Sequence, residues 1–112
     1  MITFRKQAAQ GDLLITRIQK LPKELTERKP EDGRHILAHS ETGHHHVVDA
    51  EKVHLFKNEQ DSMICYLSVT QPTELFHLRS FNTHAPIALE KGVYEIRRQR
   101  EYVPEGWRRV ED

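Results

Sequence analysis

The 112-residue chain carries seventeen basic and seventeen acidic side chains and no formal net charge, which excludes a global electrostatic pull toward nucleic acid or an anionic membrane surface. Its length suits a single β domain over residues 1–112 with a modest core. One cysteine, Cys65, excludes an internal disulfide, and no run approaches the roughly 20 apolar residues a membrane helix needs.

The opening stretch MITFRKQAAQGD lacks the apolar core of a signal peptide, so a cytoplasmic protein is expected. Short apolar or alternating runs follow: DLLITRI (12–18), RHILAH (34–39), HHVVD (45–49), KVHLF (52–56), SMICYLSV (62–69), ELFHL (74–78) and GVYEIRRQREYV (92–103). About seven short strands separated by turn residues predict an all-β fold, a small barrel or sandwich of jelly-roll type. DG at 32–33, EKG at 90–92 and PEG at 104–106 supply the glycines that tight turns require. The charged segment LPKELTERKPEDG (21–33) reads as an exposed loop with at most one short helix, within 22–29. Cys65, inside MICYLSV, is expected to be a buried, reduced thiol.

Between 93 and 103, strand alternation places Tyr94, Ile96, Arg98, Arg100 and Tyr102 on one face. Arg97, Arg98, Arg100, Arg108 and Arg109 gather with Tyr102 and Trp107, ingredients of a nucleic-acid patch. Glu95, Glu101 and Glu105 are interleaved among them, so ion pairing within the sheet is expected, with no nucleic-acid partner. A glycine-rich phosphate loop, a Gly-x-Ser-x-Gly elbow and paired cysteines are all absent, which removes the enzyme and zinc-finger classes built on them.

Histidine is over-represented, with eight residues at 35, 39, 44, 45, 46, 54, 77 and 84. Residues two apart share a face of a strand, so His44 and His46 converge while His45 points away. The pair forms half of a site for a divalent transition metal such as zinc, iron, nickel or copper, whose borderline character suits imidazole. Further donors are sought at His84, His77, His39 and Glu51; His84 stands just ahead of Pro86, which restrains its backbone. His35, His39 and His54 fall at alternating strand positions and read as half-buried side chains.

Read forward from His44, the pattern His-x-His-x4-Glu ends at Glu51 and resembles the first metal motif of the cupin family. Cupins are small jelly-roll barrels in which two histidines and a glutamate join a later histidine around a metal. The resemblance implies His44, His46 and Glu51 with His77 or His84. Ala38 and Asn58 stand where that pattern has glycines. Over more of the chain, QGDLLI, TGHHH, HAPIALEKGVYEIRRQREY and PEGWRRVED resemble a group of small uncharacterised proteins of bacteria and their phages. In that group a Gly-His-x-His and a His-Ala-Pro stretch recur, which implies that His44, His46 and His84 belong together.

The expectation is a histidine-rich metal site made by His44, His46 and His84 and completed by Glu51 or His77. Against it stand a packed histidine cluster without metal, a catalytic or substrate-binding role without metal, a self-associating or partner-binding module of phage or plasmid origin without enzymatic activity, and a cupin-like metalloenzyme. A homo-oligomer is the partner expected. The sequence names no small-molecule ligand and leaves the question of catalysis open.

Overall fold

The computed structural model describes residues 2–10, 12–38, 45–78, 86–98, 100–103 and 106–109. His39, His44 and His84 lie outside them. The described elements are strands only: β1 (Gln7–Gln10), β2 (Leu13–Ile18), β3 (Thr26–Arg28), β4 (Arg34–Ala38), β5 (His45–Asp49), β6 (Val53–Lys57), β7 (Ile64–Val69), β8 (Thr73–Leu78), β9 (Ile87–Leu89), β10 (Gly92–Arg98), β11 (Arg100–Val103) and β12 (Gly106–Arg109).

Two antiparallel sheets share one core. The larger has six strands in the order β1-β2-β10-β7-β6-β3, the smaller four in the order β4-β5-β8-β9, and β11 pairs with β12 as a hairpin. The cause is the period-two pattern, which puts one set of apolar side chains on the inner face of each strand. Leu13, Ile15, Leu55, Leu67, Tyr94 and Ile96 of the larger sheet meet Val48, Leu75, Ile87 and Leu89 of the smaller, and none is more than 4% exposed.

Two expectations need correction. The sheets are open, not closed into a barrel, and ten strands build them, more than the seven read from sequence. No helix occurs among the described residues, within the limit of at most one: Thr26–Arg28 form β3, which pairs with Lys57, Phe56 and Leu55 at the edge of the larger sheet. The rest of 21–33 is largely exposed, as its charge requires.

Local chemistry sets the connections. Asp32 and Gly33 both have positive φ, 51° and 77°, and Glu31 and Arg34 exchange backbone hydrogen bonds across them, so DG makes the tight turn into β4. Gly92 (φ 152°) starts β10, and a Cβ there would lie 3.2 Å from the Arg17 guanidinium. That guanidinium donates to the Lys91 carbonyl at 2.9 Å, pairs with Glu90 at 3.3 Å and stacks over the Tyr94 ring.

His35 also ties the sheets together. It is 4% exposed on β4, and its Nε2–H donates to the Val53 carbonyl of β6 at 3.0 Å. Burial holds its pKa below the ordinary histidine value, against the opposing pull of the Val53 carbonyl. Because the folded state resists a proton that the unfolded state accepts, the stability from His35 is present above about pH 6.5 and falls as the pH drops below it. Urea midpoints should therefore fall between pH 8 and pH 5.5, and His35→Gln should shrink that fall. An undiminished fall in the variant would move the effect elsewhere.

Candidate functional site

The histidine run enters the fold at β5, whose inner face carries His46 and Val48, each 1% exposed. An imidazole at that depth needs polar partners. The larger sheet brings them from the end of β1 and the turn into β2, where Gln10 and Asp12 are each 3% exposed.

The hydrogen-bond directions can be read in order. Gln10 Nε2 donates to the Leu75 carbonyl of β8 at 3.1 Å, and a carbonyl can only accept. The Gln10 amide is thereby oriented so that its Oε1 faces His46 Nδ1 at 3.0 Å, and that nitrogen must carry the hydrogen. Nε2, on the other side of the ring, lies 3.3 Å from Asp12 Oδ1. The other carboxylate oxygen of Asp12 is 3.7 Å from the Arg98 guanidinium at the end of β10.

Burial opposes ionisation of Asp12, yet the hydrogen bond and charge of His46, with Arg98 adding to them, bring its carboxyl below the usual range. Asp12 is thus a carboxylate. A carboxylate oxygen and a bare imidazole lone pair repel at 3.3 Å, so positive charge belongs between them: the His46 proton that already lowers Asp12, or a metal ion that would have to displace it. Two ligand atoms each about 2.0–2.1 Å from a tetrahedral metal lie about 3.3–3.4 Å apart, which the observed separation matches. The Nδ1 hydrogen on Gln10 fixes the tautomer and orientation of the ring and leaves Nε2 facing Asp12.

The sequence-derived residues fare differently. His46 is central. The backbone of His77 on β8 stands directly opposite His46 in register. Glu51 is not brought to the site: it is exposed in the turn after β5, where its N–H donates to the Asp49 carboxylate at 2.9 Å. Asp49 is already three steps along β5 from His46, about 10 Å at strand rise. His54, expected to be half-buried, is exposed and pairs with Glu27 at 2.9 Å, whereas His35 is fully buried. No group of three metal-ligating side chains occurs among the described residues. Gln10 and Asp12 were missed; an aspartate heading the apolar run DLLITRI was the available signal.

On β10 both arginines have acidic neighbours. Arg97 pairs with Glu95 at 3.4 Å, and Arg98 continues the face of Tyr94 and Ile96 to reach Asp12. No helix among the described residues is long and apolar enough to cross a membrane.

Residues 9–99 match a family described as Domain of unknown function (DUF8820). The chain belongs to that family. The match runs from within β1 to just past β10, so the DUF8820 unit takes in both sheets and Gln10, Asp12, His46 and Arg98. No curated protein and no solved structure matches the chain.

Two outcomes follow from burial. Asp12→Ala leaves cations buried without their carboxylate and should cost about 3–5 kcal/mol of stability, with Asp12→Asn milder because it keeps an acceptor; a loss near zero in urea unfolding would contradict the cluster. Cys65 lines a cavity beside β7, and burial pushes its thiol up to about 12, so thiolate is scarce at pH 8. Ellman's reagent should label it only after unfolding, and rapid labelling of native protein would show an accessible thiol.

Proposed function

We propose that this DUF8820 domain binds a divalent transition metal ion at the junction of its two sheets, with His46 Nε2 and an Asp12 oxygen as two of the ligands. The observation that carries the reading is the 3.3 Å approach of those two atoms, together with an Nδ1 hydrogen already committed to Gln10. The remaining donors are assigned from the sequence expectation, to His44, His77 and His84. A nitrogen-rich set with one carboxylate suits zinc, nickel, copper or iron and disfavours calcium or magnesium.

The depth of the site bears on its role. A catalytic metal keeps a position open to water or substrate, whereas a structural one is closed by protein. His46 and Asp12 are almost wholly buried, which favours a structural ion. Such an ion would bridge β5 of the smaller sheet and the β1–β2 turn of the larger, and its binding energy would become folding energy. On this reading the domain is a metal-stabilised module without enzymatic activity.

Untagged protein stripped with chelator and titrated with zinc should melt at a higher temperature, by the linkage between binding and stability. Replacing His46 by alanine should abolish the shift. Gln10→Ala, which removes only the orienting contact, should weaken affinity about 10–100-fold. His45→Ala should leave it nearly unchanged. If zinc gives no shift, the cation between His46 and Asp12 is a proton and the cluster is a polar clamp. Equal losses at His44, His45 and His46 would mean loose affinity of a histidine-rich stretch.

A further inference from the structure

A partly enclosed cavity of about 240 Å³ lies where β4 faces β3, β6, β7 and β10. Its deep wall is apolar: Leu55 and Ile96 are 4% and 1% exposed, with Leu37 and Ile64 beside them. Leu37 reaches the cavity next to its neighbour Ile36 because the register of β4 against β5 slips between Ile36 and Ala38. A bulge of this kind re-aims side chains that strict alternation would send to opposite faces.

The charge on the lining has one sign. Arg28, Lys57 and Arg98 border the cavity, and none of its described lining residues is acidic. Lys57 faces Glu59 at 3.9 Å and Arg98 faces Asp12 at 3.7 Å, whereas Arg28 makes no ion pair among the described residues. Among the described residues, about one positive charge is therefore left to be matched at the rim.

We infer that the cavity binds a small monocarboxylate with an unbranched apolar tail. The tail lies against Leu55, Ile64 and Ile96, and the carboxylate meets Arg28, with Lys57 beside it. Arginine presents two parallel N–H donors to a carboxylate, a geometry lysine lacks. The volume of about 240 Å³ exceeds the roughly 150 Å³ of an engineered apolar cavity that holds benzene, which suits a tail of medium length. The single unmatched charge favours a monoanion over a phosphate dianion. This site is separate from the proposed metal centre, and either can fail without the other.

The test uses octanoate as the probe on the full chain, with calorimetry for affinity and amide chemical shifts for position. Octanoate should bind saturably and shift Leu55, Lys57, Ile64 and Ile96, with octan-1-ol at least tenfold weaker. Arg28→Ala should weaken octanoate at least tenfold and leave octanol unchanged, and Arg28→Lys should recover part of the loss. Arg28 is exposed on an edge strand, so a dispersed spectrum identical to wild type should confirm that the variant folds. Equal binding of octanol, tighter binding of octyl phosphate, shifts away from the cavity or no saturable binding would each overturn the assignment.

Discussion

The burial of one carboxylate at the seam of two β-sheets is the constraint on which the rest of the arrangement depends. Asp12 cannot be ionised at 3% exposure without nearby positive charge. Its two oxygens meet that need in different directions, one toward His46 of the smaller sheet and one toward Arg98 of its own. The sheets therefore cannot slide past each other without stripping a buried anion of a partner. Apolar packing alone gives no such registration, because side chains such as Leu67, Val48 and Ile87 can repack at modest cost. Gln10 sharpens the restraint by spanning from the end of β1 to the Leu75 carbonyl on β8.

What could be read from the chain follows from how local each signal is. DLLITRI, KVHLF and MICYLSV announce themselves by alternation or by dense apolar character, and their strands appear where expected. QAAQ, TER and IAL do not, since strands of three or four residues carry too few side chains to display a period. TER also sits in a segment of good helix formers, and its strand exists through antiparallel pairing with β6, in which Thr26, Glu27 and Arg28 face Lys57, Phe56 and Leu55, 27 to 31 positions along the chain. Glu24, at φ 62°, already breaks any helical course before it.

The site was legible by halves for the same reason. The spacing of His44 and His46 draws attention to β5, and His46 does face the interior. Its partners come from a turn 34 to 36 positions earlier, and no motif counted along the chain connects them. Glu51 shows the converse error. Spacing within a motif assumes that the chain keeps its course, but the turn after Asp49 carries Glu51 to the surface.

Arg98 joins the two sites in one electrostatic argument. Its guanidinium lies 3.7 Å from an Asp12 oxygen, and Arg98 also borders the apolar cavity. A divalent ion on Asp12 would satisfy that carboxylate and weaken its hold on Arg98, leaving more positive potential at the cavity. A bound carboxylate would in turn draw Arg98 outward and leave Asp12 with more negative potential for a metal. If both ligands bind, each would then favour the other, and thermodynamic linkage would require the effect to be equal in both directions. A proton between His46 and Asp12 would give coupling of the same sign but smaller size, because it brings one positive charge where a divalent metal brings two.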